Sequence, residues 1–232
     1  MLHVKNLFVW YQEENSVIQG ADLTIGSNRV VGLLGINGAG KTTLINTISG
    51  VHTKYQADGI LGESGETRFA AEDFKKMRYT VFTEEQAFSY WNFWEYLAFI
   101  QKVYGKKLDR EYLDYLIEGF RFQQYEKTLI GDLSTGNKKK VFLIGGFALK
   151  LPLLILDEPL DGLDFNGAEF LYEAMQGHKQ YGSVLMSSHI AESFERTCDE
   201  ILLLNHGKIS RKEFVSGMDI RQELGAWLHV AD

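Results

Sequence analysis

The sequence has a single cysteine, no long apolar run and no excess of positive charge, and each of these features excludes a class of protein. With only Cys198, an internal disulfide is impossible, and a reducing compartment is expected. We expect Cys198 to be a small buried residue and not a catalytic thiol. The most apolar region, residues 141–156, is interrupted by glycines, Lys150 and Pro152, which excludes a transmembrane helix of about 20 apolar residues.

Acidic residues outnumber basic residues in this chain. The 31 Asp and Glu residues and 24 Lys and Arg residues give a formal net charge of −7. Proteins that bind nucleic acid usually carry a basic patch or stripe, so we expect no nucleic-acid partner. Residues 1–5 lack the basic start and apolar centre of a signal peptide. We therefore expect a cytoplasmic protein, and a membrane partner is still compatible with these features.

The clearest motif is a glycine-rich loop between a predicted strand and a predicted helix. Residues 29–34 read as a short buried strand, and residues 43–48 have apolar side chains at helical spacing. The loop between them, residues 35–42, matches the pattern G-x-x-x-x-G-K-[ST], and we call it the phosphate loop. In this pattern, backbone N–H groups and a helix N-terminus bind phosphate oxygens. This pattern predicts a nucleoside triphosphate site, with Lys41 at the β- and γ-phosphates and Thr42 at Mg²⁺. The predicted contacts are Gly35, Ile36, Asn37, Gly38, Ala39, Gly40, Lys41, Thr42 and Thr43.

Two further apolar segments end in side chains that suit triphosphate chemistry. Residues 153–156 are typical of a buried parallel strand, and Asp157 and Glu158 follow them directly. We expect this acid pair on the strand adjacent to the phosphate-loop strand, with Asp157 at Mg²⁺ and Glu158 orienting or deprotonating a water. His189 follows a second strand-like run and is a candidate contact to the γ-phosphate. The other histidines show no metal-ligand spacing.

Residues 88–122 change to helical spacing. Phe93, Leu97, Ile100 and Tyr104 recur at intervals of three or four residues, which predicts a helical lobe inserted between residue 88 and about residue 150. The aromatic residues of this region are either core side chains or an apolar patch for a partner helix, and the core interpretation is favoured. They are Phe88, Tyr90, Trp91, Phe93, Trp94, Tyr96 and Phe99.

A polar segment at residues 132–137 precedes a predicted helix that begins with three lysines. Ser134 is suited to cap this helix. Lys138, Lys139 and Lys140 lie in its first turn, where the helix dipole disfavours positive charge. Either a nearby anion offsets the lysines or they form a solvated basic face.

The remaining segments complete a single α/β domain without repeats or low-complexity linkers. We expect short strands at residues 2–7, 16–18 and 21–25, and glycine-rich hairpins over residues 51–65. A core strand is expected at residues 78–83 and a closing hairpin at residues 201–209. Beyond Phe214 we expect a short helix or two.

Taken in order, these segments resemble the nucleotide-binding subunit of an ATP-binding cassette (ABC) transporter, from residue 2 to about residue 212. The glycine-rich loop matches Walker A, residues 153–157 match Walker B, and Glu158 falls at the catalytic glutamate. His189 falls at the switch histidine, and Tyr11 at the base-stacking aromatic, although a Tyr at a strand end is more often plain packing. Asp164 ends a segment that resembles the D-loop. The ABC signature discriminates this family from other proteins with Walker motifs. The segment that resembles it consists of Leu133, Ser134, Thr135, Gly136 and Asn137.

Two positions depart from the family's pattern. The usual signature has Gly-Gly-Gln where this chain has Thr135-Gly136-Asn137, so closure on a partner's γ-phosphate could be altered. Ser-Thr-Gly recurs in exporters whose membrane half is a separate polypeptide, which indicates a subtype. At the Q-loop, Glu84 aligns best with the family's glutamine near Mg²⁺, and Gln86 is the alternative.

The resemblance implies an α/β P-loop NTPase (ABC ATPase) fold in one domain, residues 1–232. Its parts are a mainly parallel core sheet with an N-terminal antiparallel β subdomain, at residues 1–86 and 150–232, and an inserted α-helical subdomain at about residues 87–149. ATP and Mg²⁺ are the implied ligands. Two such subunits are expected to pair head to tail around ATP, as a homo- or heterodimer. The pair is expected to drive a separate transmembrane permease at the cytoplasmic face of the membrane, and export is the favoured direction.

Two other classes remain as alternatives. Soluble ABC ATPases that act on DNA or ribosomes usually carry two cassettes or a coiled-coil insertion, which this chain lacks. A small-molecule P-loop kinase leaves the signature, Glu158 and His189 without roles.

Overall fold

The computed structural model describes residues 1–12, 15–62, 65–83, 87–189 and 191–213. Glu84 and Gln86, the two Q-loop candidates, and the helices expected after Phe214 lie outside these residues. The strands are β1 (Leu2–Gln12), β2 (Asn15–Ile25), β3 (Val30–Leu34), β4 (Tyr55–Gln56), β5 (Gly59–Gly62), β6 (Gly65–Glu66), β7 (Arg78–Val81), β8 (Leu153–Leu156), β9 (Ser183–Ser187), β10 (Glu200–Asn205) and β11 (Lys208–Glu213). The helices are α1 (Lys41–Ile48), α2 (Glu72–Met77), α3 (Phe93–Tyr104), α4 (Arg110–Gly119), α5 (Thr135–Ala148), α6 (Phe165–His178) and α7 (Ala191–Thr197), with 3₁₀ turns at Gln123–Tyr125 and Ile130–Asp132.

The larger sheet has the strand order β11-β10-β3-β9-β8-β7. Strands β10, β3, β9, β8 and β7 are parallel, and β11 pairs antiparallel with β10. Every residue of β3, β8 and β9 is buried, because both faces of the sheet are covered. Val30 and Leu34 pack on the helical side, whereas Val31 and Leu33 pack on α1 and the second sheet. The parallel direction brings the carboxyl ends of five strands to one edge.

The second sheet is antiparallel and comes from the N-terminal part of the chain. Its order is β2-β1-β5-β6, and β4 also pairs with β1. The two short strands expected at residues 16–18 and 21–25 form one strand, β2, because its pairing with β1 shifts register and continues. The hairpins expected over residues 51–65 correspond to β4, β5 and β6.

Helices α3, α4 and α5 lie between β7 and β8 in the chain and share one core with the sheet. Asn92 caps α3 in a capping box with Glu95, which fixes where the helix begins. Phe93, Leu97 and Ile100 are buried, as their spacing predicts. These elements confirm the α/β class with a mainly parallel sheet, an antiparallel subdomain and an inserted helical subdomain. The limits at about residues 87–149 and the single-domain range stay predictions.

The strand order corrects two expectations. The acid pair is not on the strand adjacent to the phosphate-loop strand, because β9 lies between β3 and β8. Parallel strands are joined by crossovers that can skip a position, so chain order does not fix which strands are neighbours. Strand β7, expected in the core over residues 78–83, is the edge strand and ends at Val81. Among the described residues, no helix is long and apolar enough to cross a membrane.

Candidate functional site

The phosphate loop joins the end of β3 to the start of α1. Gly40 has a φ of 103°, a left-handed conformation that favours glycine, and it turns the chain directly into α1. No side chain caps α1 and its first turn has no acidic residue, so an anionic ligand can use its terminal N–H groups. Lys41 is buried, and its Nζ donates a hydrogen bond to the carbonyl oxygen of Gly35 at 2.8 Å. The exposed members of the loop are Ile36, Asn37, Gly38 and Thr42.

Tyr11 lies beside the start of α1. Its hydroxyl is 3.2 Å from Oγ1 of Thr43, and its ring centroid is 4.8 Å from that of His52. A ring nitrogen of His52 lies 2.9 Å from the carbonyl oxygen of Trp10, which holds the imidazole in place. Tyr11 is still 52% exposed. The side chain therefore packs on its own chain and also has surface for a second ring.

The carboxyl end of β8 carries a hydrogen-bonded carboxylate. Asp157 is buried, and its Oδ1 accepts a hydrogen bond from Oγ of Ser187 at 2.7 Å. The same hydroxyl oxygen accepts the backbone N–H of Glu158 at 2.9 Å. Ser187 is the last residue of β9, so the neighbouring strand orients both acids. Sequence reasoning missed this role, although a polar residue at the end of an apolar run, two positions before His189, was a usable signal.

Glu158 and His189 are in direct contact. Oε2 of Glu158 lies 2.9 Å from Nδ1 of His189 and accepts the His189 backbone N–H at 3.2 Å. Glu158 has a φ of 45°, which is uncommon for a residue with a side chain. Ligand atoms of Glu158, Asp161 and His189 lie within 4.8 Å of one another, a spacing that can hold a metal ion. The structure thus brings together the two predicted acids and the predicted histidine.

The signature-like residues lie at the start of α5. Ser134 caps the helix by accepting the backbone N–H of Asn137 at 3.4 Å. Gly136 packs so tightly on the loop after β8 that a Cβ there would overlap the carbonyl oxygen of Gly162. Beside them lies a cavity of about 330 Å³. Its lining is Arg121, Gln124, Tyr125, Ser134, Gly136, Asn137, Lys140, Gly162 and Asp164.

The cavity at the start of α5 brings part of the signature-like segment together with Asp164. Two members of the segment do not line the cavity: Leu133, which is buried, and Thr135, which is exposed. Sequence reasoning did not find Arg121, Gln124 or Tyr125, because they come from the turn after α4 and only the fold brings them here. Among the described residues, none of the phosphate loop, including Ala39, lines this cavity. The phosphate loop and the signature-like segment therefore do not share this cavity.

The three lysines do not form a solvated basic face. Lys139 and Lys140 are only 5% and 3% exposed. Nζ of Lys140 pairs with Oδ2 of Asp164 at 2.7 Å, and this hydrogen bond holds the pKa of Asp164 below its usual range. Nζ of Lys139 donates to the carbonyl oxygen of Glu158 at 3.0 Å, and burial lowers the pKa of Lys139. For Lys140, the offsetting anion belongs to the chain itself.

An apolar groove of about 410 Å³ lies between α2, β7 and α3. Of the aromatic residues discussed above, Phe93 and Tyr96 are buried, and Tyr90 is 90% exposed. Phe88, Trp91 and Trp94 are partly buried against the core. Phe99, which is 38% exposed, lines the groove with Phe88, Tyr96 and Val103. Most of these side chains belong to the core, and a few form the wall of an open groove.

Comparison with known proteins gives consistent results. The family model described as ABC transporter matches residues 18–161. The chain is 35% identical over 216 residues to AlbC of Bacillus subtilis (strain 168), covering 91% of this chain and 90% of AlbC. It is 27% identical over 240 residues to the SkfA peptide export ATP-binding protein SkfE of the same organism, covering 98% of both proteins. A solved structure of an ATP-binding subunit of an ABC transporter superposes with a TM-score of 0.84 at 27% identity, covering 99% of this chain and 98% of that one.

The family match spans more than half of the chain, and AlbC matches it over nearly its full length. ABC ATP-binding subunits bind ATP, dimerise and work with transmembrane subunits. Along the chain, the phosphate loop comes first, the signature-like segment second and the acid pair third. The chain belongs to the ABC transporter family and is an ATP-binding subunit that hydrolyses ATP to drive transport.

Proposed function

We propose that this chain binds Mg-ATP at residues Gly35 to Thr43 and hydrolyses it with Glu158 as the general base. The observation that carries the proposal is the shared carboxyl edge of the parallel sheet. The phosphate loop follows β3, the acid pair follows β8, and His189 follows the strand between them. An anion held by the start of α1 is therefore on the same edge as the carboxylates that hydrolysis needs.

Each end of the nucleotide has a candidate partner. The N–H groups of the loop and of α1 suit the phosphates, and Lys41 can exchange its carbonyl contact for the β- and γ-phosphate oxygens. Tyr11 offers its half-exposed ring to the base, because stacking on an aromatic face tolerates any base. The contact of Tyr11 with Thr43 supports this role by keeping the ring beside the loop.

The oxygen donors fit Mg²⁺. Thr42 presents an exposed hydroxyl at the start of α1, and Asp157 presents a carboxylate whose orientation is fixed by Ser187. Hydroxyl and carboxylate oxygens are the hard ligands that Mg²⁺ prefers. Glu84 is the third proposed ligand and lies outside the described residues. When bound, Mg²⁺ neutralises charge on the β- and γ-phosphates.

Glu158 and His189 act as a pair in this proposal. The Glu158 side chain is 16% exposed, so a water molecule can reach its carboxylate. His189 binds the carboxylate through Nδ1 and its backbone N–H, which restricts the orientations of the base. The other ring nitrogen of His189 is the candidate donor to the γ-phosphate.

A second copy or a related subunit completes each ATP site. The cavity at the start of α5 is lined by Ser134, Gly136, Asn137 and Asp164, and by none of the described phosphate-loop residues. We therefore expect that the ATP bound by one chain does not contact that chain's own signature-like segment. The exposed start of α5, capped by Ser134, can bind the γ-phosphate of a nucleotide held by a partner. Head-to-tail pairing satisfies both halves at once.

The groove between α2, β7 and α3 is the proposed contact with a separate transmembrane subunit. Its wall is largely apolar and aromatic, which suits an amphipathic helix. Export at the cytoplasmic face of the membrane is supported by the similarity to SkfE, whose name describes peptide export.

The test is Glu158→Gln, compared with Glu118→Gln on the exposed face of α4 as the matched control. The amide keeps the size of the side chain but cannot accept a proton, so we expect ATP turnover to fall about 10²–10⁴-fold. Mg-ATP affinity, measured by titration calorimetry, is expected to stay near that of the wild-type protein. Wild-type turnover in Glu158→Gln contradicts the assignment of the base, and absence of Mg-ATP binding by the wild-type protein contradicts the whole proposal.

A further inference from the structure

Helix α5 contacts the segment from Glu158 to Asp164 at three points. At the near end, Nζ of Lys139 donates to the carbonyl oxygen of Glu158 at 3.0 Å. In the middle, the backbone of Gly136 packs on the carbonyl group of Gly162. At the far end, Lys140 pairs with Asp164 at 2.7 Å. Two consecutive lysines therefore hold both ends of the loop that follows the acid pair.

Lys139 is an unusual residue for its position. It is 5% exposed, and a buried ammonium group is stable only when it is hydrogen-bonded and compensated by nearby charge. Its described hydrogen bond goes to a backbone carbonyl and not to a carboxylate, while Asp157, Glu158 and Asp161 supply negative charge around it. Burial of the Lys139 ammonium group therefore supports one specific contact, its hydrogen bond to the backbone of Glu158.

That residue, Glu158, has a backbone conformation that needs support. A φ of 45° is strained for a residue with a Cβ, and such conformations persist only where the surroundings hold them. Glu158 is held on both sides, because its N–H donates to Ser187 and its carbonyl oxygen accepts from Lys139. The Ser187 contact comes from β9 and the Lys139 contact comes from α5. The direction of the Glu158 side chain therefore depends on the position of α5.

We propose that Lys139 is a positioning residue for the general base, and that it links the signature-like end of α5 to Glu158 of the same chain. This inference rests on the role proposed above for Glu158. Lys140 and Gly136 complete the link by holding the rest of the loop on the helix. A partner that binds at Ser134 to Asn137 then acts on a rigid unit that includes Glu158. In the proposal, Glu158 is the general base for the ATP held by its own chain, which is the other ATP site of the pair.

The first experiment compares Lys139→Met with Lys138→Met, a substitution in the same turn at a half-buried lysine. Methionine keeps the length and apolar stem of lysine but cannot donate to the Glu158 carbonyl. We expect kcat for ATP to fall about tenfold to hundredfold in Lys139→Met, since small misplacement of a catalytic group costs up to about 10²-fold. The Kd for Mg-ATP and the melting temperature are expected to stay near wild type, and Lys138→Met is expected to keep wild-type kcat. An unchanged kcat in Lys139→Met overturns the proposal.

The second experiment places Lys139→Met in the Glu158→Gln background. If Lys139 acts only through Glu158, the second substitution changes the residual rate less than about twofold, because groups that act as a unit are strongly non-additive. Equal fold-losses in both backgrounds overturn the link. Lys139→Gln keeps a neutral donor that is easier to bury, so it is expected to fold and to retain more kcat than Lys139→Met. Should Lys139→Met not fold, Lys139→Leu, which also lacks the donor, takes its place, and a wild-type kcat in that variant overturns the proposal. Full turnover in Glu158→Gln alone instead contradicts the assignment of the base, so the two failures are distinguishable.

Discussion

His178 makes the stability of this protein depend on pH. It lies at the end of α6 with no exposed surface, and Nε2 is 3.0 Å from the carbonyl oxygen of Leu151. Among the described residues, Nδ1 has no hydrogen-bond partner. A second proton would therefore be buried without an acceptor, and burial lowers the pKa of His178 from 6.5 to about 4.

The sign of the effect follows from the lowered pKa. The unfolded chain takes up a proton below pH 6.5, whereas folded His178 resists protonation until about pH 4. The contribution of neutral, buried His178 to the free energy of unfolding is complete above pH 6.5. It is lost as the pH falls towards 4. A difference of about 2.5 between the two pKa values corresponds to about 3 kcal/mol, of which about 2 kcal/mol is lost between pH 7.5 and pH 5.

Urea unfolding followed by tryptophan fluorescence at pH 7.5 and pH 5 measures this loss. His178→Gln cannot take up the proton, so its free energy of unfolding should fall by about 2 kcal/mol less than that of the wild-type protein over this interval. Replacing the exposed His206 by Asn, a residue that tolerates its φ of 45°, should leave the wild-type pH dependence unchanged. Equal losses for wild-type protein and His178→Gln would refute the reasoning.

Two other predictions concern α5 and the groove. Gly136→Ala places a methyl group against the Gly162 carbonyl and should destabilise the protein by about 1–3 kcal/mol in thermal unfolding, whereas Gly177→Ala, where the Cβ meets open space, should be neutral or stabilising. Equal melting temperatures for the two variants would contradict the tight contact. Val103→Glu puts a carboxylate in the groove. It should lower at least tenfold the fraction of protein that sediments with membranes of its own cells, because burying an ionised carboxylate in an apolar interface costs more than about 1.4 kcal/mol. Leu61→Glu, at a similarly exposed position on β5, is the control, and equal loss in both would count against the groove as the contact.

The sequence predicts those parts of the site that depend on local pattern. The phosphate loop is predictable because the turn into α1 needs glycine at residue 40 and the helix follows at once. The acid pair is predictable because an apolar run of four residues ends at Asp157. The carboxyl ends of parallel strands lie on the same side of the sheet whatever the order of the strands. The phosphate loop and the acid pair are therefore predicted on the correct side, even though the prediction that their strands are adjacent is wrong.

The parts that escape prediction depend on packing between distant segments. Ser187 orients Asp157 only because β9 lies beside β8, and the sequence does not encode that neighbour relation locally. For Lys139 and Lys140 the sequence leaves two interpretations open, a nearby anion or a solvated face, because their burial is decided by a loop about 20 residues further along the chain. The sequence shows the conflict between three lysines and the helix dipole, but the fold is needed to resolve it.

In the proposed head-to-tail pair, the same packing lets a single helix act on two ATP sites. A helix start that binds a partner's nucleotide has no direct contact with the nucleotide of its own chain, so any influence on hydrolysis there has to pass through the protein. Three contacts from α5 reach the loop after β8, and one of them ends on the backbone of Glu158 itself. Because that backbone is strained, a small shift of Lys139 can alter the direction of the carboxylate without disturbing the phosphate loop. Coupling of this kind affects turnover and leaves affinity for Mg-ATP unchanged, which is the pattern that separates it from a defect in nucleotide binding.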